Sequence, residues 1–100
     1  MSDSTKTAAD LHVRLYVAND SPNSVAALAN LRATLGERAD LCFDLEIIDI
    51  LQHPDRALRD CVTLTPMLVK VWPTPERRIL GSLKDRSMLR TVLGLDPRIS

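Results

Sequence analysis

Aromatic residues, glycine and cysteine are all scarce in this chain of 100 residues. Three residues are aromatic, so stacking platforms for nucleic-acid bases are not expected, and a net charge of zero provides no basic surface for phosphates. The three glycines lie far apart, which excludes a glycine-rich phosphate loop. No apolar run approaches the roughly 18 residues that cross a membrane. With 45% apolar and 26% charged residues, the sequence is typical of one soluble globular domain.

The first half of the sequence predicts a strand, a helix and a second strand. Residues 11–17 alternate apolar and polar side chains, as in a strand with one buried face. Ser21 and Pro22 suit the start of a helix, and Gly36 suits its end. The apolar positions of this helix recur at helical spacing: Val25, Leu28, Leu31 or Arg32, and Leu35. Residues 41–50 predict the second strand, and such a unit implies a parallel pair with a right-handed crossover.

The second half predicts a short helix, a β-hairpin and a last helix. Residues 54–61 predict a helix opened by proline, with the following positions on its inner side: Ala57, Leu58 and Cys61. Residues 67–72 and 78–81 predict antiparallel strands joined by a proline-rich turn, and Asp85 suits the cap of the final helix. The order β-α-β-α-β-β-α is that of thioredoxin-like α/β proteins, with helices on both faces of a mixed sheet.

The sequence carries one thioredoxin-like feature and lacks another. Thr65-Pro66 precedes the third strand, where thioredoxin-like proteins keep a cis proline. Residues 19–22 follow the first strand, where thioredoxin-like enzymes carry their reactive pair, and they contain no sulfur. Cys42 and Cys61 belong to no CxxC pair, so we reject dithiol catalysis and expect both to be packing residues, reduced in the cytoplasm.

No other constellation predicts an enzyme or a cofactor site. His12 and His53 stand alone, with no second ligand at metal-binding spacing, and Ser21 has no base at fixed spacing. Acidic residues along the second strand predict a solvated or subunit-facing edge: Asp44, Glu46 and Asp49. Residues 1–10 lack the apolar stretch of a signal peptide. We expect a disordered tail there, one domain over residues 11–96, a short tail at 97–100, and a cytoplasmic protein.

Basic residues gather around the predicted hairpin. Lys70, Arg77 and Arg78 give local positive charge on a neutral chain, and Trp72 lies beside them. Tryptophan and arginine are frequent in binding hot spots, which favours a partner-binding surface. Charged side chains also protect the edge of a sheet from aggregation, which favours a solvated edge. The residues alone leave both alternatives open.

Blocks of sequence in order from Leu11 to Asp96 resemble the KaiB family of clock proteins. The matching blocks are Leu15-Tyr16-Val17-Ala18, Ser21-Pro22-Asn23-Ser24-Val25, Ile48-Asp49-Ile50-Leu51, Thr65-Pro66, Arg77-Arg78-Ile79-Leu80-Gly81 and Gly94-Leu95-Asp96. Asn19 stands where the family usually has glycine, a tolerable change because asparagine adopts left-handed backbone angles more readily than most residues.

The resemblance implies a non-enzymatic partner of KaiC, a hexameric ATPase with autokinase and phosphatase activity. It assigns partner binding to Lys70, Arg77 and Arg78. A histidine kinase sensor domain of the same fold would compete for the same site, and neither nucleic acid nor membrane is expected as a partner. Two alternatives are a redox protein using a single cysteine and an adaptor for a histidine kinase or stress pathway.

The resemblance also implies two folds for one sequence. One is thioredoxin-like and docks on the ATPase, and the other is a self-associating dimer or tetramer with the order β-α-β-β-α-α-β. Several residues are assigned to this change: Pro66, Pro73, Pro75, Gly94 and Asp96. Because X-Pro bonds isomerise slowly, we expect the prolines to slow exchange between the folds.

Overall fold

The computed structural model describes residues 9–95, and these form four strands and three helices. In chain order the elements are β1 (Leu11–Val17), α1 (Pro22–Leu35), β2 (Phe43–Asp49), α2 (Pro54–Arg59), β3 (Met67–Trp72), β4 (Arg77–Leu80) and α3 (Arg86–Leu93). The predicted order is therefore confirmed. Asp96, the predicted tail at 97–100 and most of the predicted tail at 1–10 lie outside the described residues. No helix within residues 9–95 is long and apolar enough to cross a bilayer.

The strands form one mixed sheet in the order β2-β1-β3-β4. β1 pairs parallel with β2, from Leu11 opposite Phe43 to Val17 opposite Asp49, which confirms the predicted parallel pair. β1 pairs antiparallel with β3, and β3 pairs antiparallel with β4. The amino-terminal strand is thus central, and β2 and β4 are the two edges.

The two faces of the sheet carry separate apolar cores because side chains alternate along each strand. On one face, which we call the α1/α3 face, strand residues pack with both long helices: Leu11, Val13, Leu15, Leu68, Ile79, Ala27, Leu31, Leu35, Leu89 and Leu93. The opposite face, called the α2 face, carries a smaller core: Tyr16, Ile48, Ala57, Val62 and Val69. The short helix α2 therefore covers only part of its face.

Helix α1 has the predicted bounds and cap but a different buried side. The Oγ of Ser21 accepts a hydrogen bond from the backbone N–H of Ser24 at 3.3 Å, and Pro22 lies in the first turn. Val25 is 56% exposed, so the inward position assigned to it is wrong. The buried residues of the helix include small and polar side chains that an apolar pattern does not reveal: Ser24, Ala27, Leu31, Thr34 and Leu35.

Both cysteines are exposed, so their prediction as packing residues is wrong. Cys42 precedes β2 rather than lying in it. Cys61 has a left-handed φ of 57° where the chain turns after α2, and the next residue, Val62, enters the core instead. Leu58 is 78% exposed, so its predicted inward position is wrong. The buried residue of this short helix is Ala57.

The carboxyl-terminal elements begin and end where the sequence predicts, within a residue or two. The Asp85 carboxylate caps α3 by accepting from the backbone N–H of Met88 at 3.0 Å. The helix ends at Gly94, whose φ of 76° lies in the left-handed region that favours glycine. Asn19 has a φ of 54°, as expected for a family glycine position. The predicted cis bond at Thr65-Pro66 is present, and Pro73 and Pro75 also follow cis bonds.

Candidate functional site

The hairpin of β3 and β4 carries the three predicted partner-binding residues but divides them between two faces. Lys70 lies opposite Arg77 in the register, and Val69 lies opposite Arg78. Leu68 of the same strand packs in the core of the α1/α3 face. Since alternate strand residues share a face, Lys70 and Arg77 lie on the α1/α3 side and Arg78 lies on the α2 side. The structure brings the first two together and separates the third from them.

Lys70 and Arg77 form a pair of cations with no counter-ion among residues 9–95. Lys70 is only 6% exposed, and neither residue makes a hydrogen bond or ion pair with another described side chain. Burial lowers the pKa of Lys70, and the neighbouring charge of Arg77 lowers it further. Two neighbouring cations whose charges disfavour each other attract an anion, so this position is suited to an acidic group from another molecule.

Arg78 belongs to a different group of side chains, centred on Asp60. The Tyr16 hydroxyl donates to Oδ2 of Asp60 at 2.6 Å, and Nη1 of Arg14 donates to the same oxygen at 3.2 Å. Nη2 of Arg78 lies 3.6 Å from Oδ1. We call these four residues the Asp60 cluster. It joins the end of α2 to β1 and β4 on the α2 face.

The Asp60 cluster changes the pKa values of its two central groups. Burial raises the pKa of Tyr16 to about 12, and the hydrogen bond to Asp60 raises it in the same direction. Burial alone would raise the pKa of Asp60, but hydrogen bonds from Tyr16 and Arg14 and the nearby guanidinium charges outweigh it, so the net pKa is lowered. Near neutral pH the cluster therefore holds a protonated phenol beside an ionised carboxylate.

A second set of ion pairs extends the cluster toward the edge strand β2. Glu46 lies 2.9 Å from Nη2 of Arg56 and 3.6 Å from Nε of Arg14. The hydrogen bond from Arg56 lowers the pKa of Glu46. His12 lies 3.3 Å from Asp44, also on this face. Asp44 and Glu46 are thus exposed to solvent, as predicted, and also pair within the chain, whereas Asp49 accepts hydrogen bonds from the backbone of Asn19 and Leu51.

An open groove lies on the part of the sheet that α2 does not cover. Its volume is about 420 Å³, and its lining includes His12, Arg14, Asp44, Glu46, Val71 and Trp72. Trp72 is half exposed at its edge. Within the groove Arg14 pairs with Glu46, and Asp44 lies beside His12, so its polar side chains have partners within the chain.

Sequence reasoning missed the Asp60 cluster and a second bridging group at Glu37. The Glu37 carboxylate accepts from Nη2 of Arg86 at 2.6 Å and from Nε of Arg90 at 2.9 Å, linking the turn after α1 to α3. These contacts join residues far apart in sequence, so no local pattern could reveal them. The one sequence feature that could have indicated the Asp60 cluster is the polar side of β1, which carries Arg14 and Tyr16.

His53 and the other metal-ligating residue types form no site in the part of the chain that the structure describes. His53 caps α2, in the loop before Pro54 as expected, without a side-chain cap bond. Within residues 9–95, no three His, Cys, Asp or Glu side chains come close enough to hold a metal ion.

Comparison with known families gives one match over most of the chain. The KaiB domain family model matches residues 14–95. The circadian clock oscillator protein KaiB of Microcystis aeruginosa is 43% identical over 84 residues, which cover 84% of this chain and 79% of that protein. KaiB of a Synechococcus species is 43% identical over the same length, covering 84% of this chain and 80% of that protein. These relatives are named as oscillator proteins, which confirms the prediction of a non-enzymatic protein.

Comparison with solved structures confirms the fold class. The N-terminal domain of Synechococcus elongatus SasA has a TM-score of 0.71 at 24% identity, covering 93% of this chain and 91% of that one. Mitochondrial thioredoxin 3 of Saccharomyces cerevisiae has a TM-score of 0.70 at 17% identity, covering 91% and 83%. The fold is thioredoxin-like, an α/β architecture with a mixed sheet.

Proposed function

This chain belongs to the KaiB family, and from that premise we propose that it binds a KaiC-like hexameric ATPase and alters the ATPase's phosphorylation and hydrolysis cycle. The family consists of clock regulators without enzymatic activity of their own. The chain therefore acts through the surface that it offers to a partner, and its chemistry is that of recognition.

The proposal depends on one observation: the neighbouring cations Lys70 and Arg77 have no counter-ion among the described residues. A lysine that is 6% exposed and has no counter-ion within the described chain costs stability in the free protein. A carboxylate of the partner would relieve that cost on docking and would fix the orientation of the complex. Trp72 ends the same strand and is half exposed, and it lines the groove with His12, so it offers a separate apolar contact at this end of the sheet.

We propose also that the thioredoxin-like arrangement is the docking form and that a second, self-associated form, a dimer or tetramer, exists beside it. The unit β1-α1-β2 makes its own parallel pair, whereas the later strands join only the opposite edge of β1. The residues assigned to the change, Pro66, Pro73, Pro75 and Gly94, all belong to the later part, and Asp96 follows it. A partner that binds one form would shift the population toward that form.

A histidine kinase sensor domain is proposed as a competitor for the same partner. The likeness to the SasA N-terminal domain concerns the fold, and a shared fold lets two proteins present the same backbone to one surface. Competition is tested directly by adding the cognate sensor domain to the preformed complex. Displacement of this chain supports the proposal, and a stable ternary complex contradicts it.

The docking proposal is tested by co-elution of the full chain with its cognate KaiC-like ATPase in the presence of ATP. Lys70→Ala and Arg77→Ala should each weaken binding by roughly tenfold or more, since buried charge contacts dominate such interfaces. Lys84→Ala is the matched control because this exposed lysine lies in the loop before α3, away from the pair. Absence of association under every nucleotide condition would refute the proposal.

A further inference from the structure

Asp60 joins three elements through one carboxylate. It follows the last residue of α2, and its side chain is 19% exposed. Oδ2 accepts from Tyr16 and Arg14 of β1, while Oδ1 lies 3.6 Å from Arg78 of β4. The end of α2, the central strand and an edge strand therefore meet at this carboxylate.

Arg78 is held from two sides within the chain. Its Nε donates to Glu76 at 3.1 Å, and its Nη2 faces Asp60. It lies on the face opposite Lys70 and Arg77, so a partner that packs flat against the α1/α3 side contacts those two residues and not Arg78. The resemblance assigns all three to partner binding, and the structure separates their roles.

We propose that Asp60 is a positioning residue for the docking face, holding Arg78 so that the hairpin carrying Lys70 and Arg77 keeps its place against β1. Arg78 then influences the partner through Asp60 and the hairpin rather than by touching the partner. The binding part of this inference rests on the proposed function. The positioning part concerns contacts within the chain and has its own readout.

A double-mutant cycle separates positioning from direct contact. Asp60→Asn, Arg78→Ala and the double variant are compared for affinity to the ATPase ring. Each single change should weaken binding by about tenfold, because each removes one partner of a charged contact that is partly shielded from solvent. The double variant should bind the ring no more weakly than the single variant with the lower affinity. Independent, multiplying effects of about a hundredfold would show that Arg78 contacts the partner and would overturn the proposal.

Asp55→Asn is the matched control for Asp60→Asn. Asp55 belongs to the helix that Asp60 follows, and its substitution removes the same charge, but it is exposed and its ion-pair partner within residues 9–95 is Arg59, one helical turn away. Its affinity should equal that of the wild type. If Asp55→Asn weakens binding as much as Asp60→Asn does, the charge of α2 rather than the Asp60 contacts is responsible, and the proposal is wrong.

Amide hydrogen exchange tests positioning without any partner. Asp60→Asn should accelerate exchange at the β3–β4 amides of residues 67–80 more than at residues 43–49 of β2, with no such bias in Asp55→Asn. Equal acceleration in both regions, or none, overturns the proposal. If the wild type fails to bind the ring while this bias appears, the docking function falls and the positioning role stands. Tyr16→Phe, which removes only one hydroxyl, gives the same test if Asp60→Asn does not fold.

Discussion

The Tyr16 hydroxyl donates a 2.6 Å hydrogen bond to the Asp60 carboxylate across 44 positions of sequence. Tyr16 belongs to the central strand and Asp60 to the turn that ends α2. The contact therefore joins the amino-terminal unit to the part of the chain that resemblance links to a fold change. Tyr16 is also the one tyrosine of the protein, so its ionisation can be followed without interference.

We predict that Tyr16 titrates far above an ordinary tyrosine. Burial raises its pKa from 10.0 to about 12, and Asp60 contributes to that rise. A raised folded pKa means that the stabilisation is complete below pH 10 and is lost as the pH climbs toward 12, by up to about 2–3 kcal/mol. Tyrosinate absorbance of the native protein measures the pKa, and urea unfolding at pH 9 and 11 measures the loss. Asp60→Asn should lower the pH midpoint of the Tyr16 titration. A midpoint near 10 in the native protein would contradict the burial of Tyr16 and its hydrogen bond to Asp60.

Lys70→Met should stabilise the free protein while weakening docking. Methionine has a similar length, and the change removes a charge whose pKa is lowered by desolvation and by Arg77 and which has no counter-ion among residues 9–95. We expect a gain of about 1 kcal/mol in the free energy of unfolding, as when other buried charges are replaced by apolar residues. Urea unfolding and co-elution with the ATPase measure the two effects. A loss of stability would show that the ammonium has a partner that the described chain does not reveal.

The buried side of α1 is tested by two truncations of similar size. Leu31→Ala should cost about 3 kcal/mol, because Leu31 is fully buried against the sheet. Val25→Ala should cost no more than about 0.5 kcal/mol, because Val25 is more than half exposed. Thermal or urea unfolding gives both values. Similar losses in the free energy of unfolding at the two positions would mean that Val25 faces the core, as the spacing of apolar residues alone predicted.

Glu37→Gln should loosen α3 in particular. The hydrogen bond from Arg90 and the charges of Arg90 and Arg86 lower the pKa of Glu37. A lowered folded pKa means that the ion pairs stabilise the fold above the ordinary pKa of 4.5 and are lost as the pH falls through the folded value. Amide exchange in residues 86–93 should rise in the variant, and added salt should reduce the difference from wild type.

The control for Glu37→Gln is Asp40→Asn. Asp40 also pairs with an arginine, but its partner Arg38 is two residues away and links no second element. Its removal should leave exchange in α3 unchanged. Equal effects of the two substitutions would mean that surface charge, rather than the bridge to α3, controls the helix.

The sequence predicted the elements well because their signals are local. Alternation in β1, the Ser21 and Asp85 caps and the left-handed ends at Asn19 and Gly94 each involve residues within a few positions of one another. The interactions that produce these features lie within one turn or one strand. The order of elements followed from these signals together with the rule for parallel crossovers.

The site was less predictable because its contacts are made between elements. The basic residues of the hairpin could be named, but their division between two faces depends on the register of β3 with β4. Asp60 carried no local signal, since its partners Tyr16 and Arg78 come from β1 and β4. The buried side of α1 was not predicted because it includes small residues such as Ala27. Whether a small residue is buried depends on the side chains that pack against it rather than on its own hydropathy.

The position of β1 between β2 and β3 has a consequence for how the protein responds to its own abundance. In the sheet, everything after β2 is attached through the single β1–β3 seam. If the later part lifts away, a row of backbone donors and acceptors on β1 is uncovered and becomes available for pairing with a strand from another molecule. If such pairing accompanies the proposed rearrangement, mass action couples the two, and dilution would favour the proposed docking form over an assembled one.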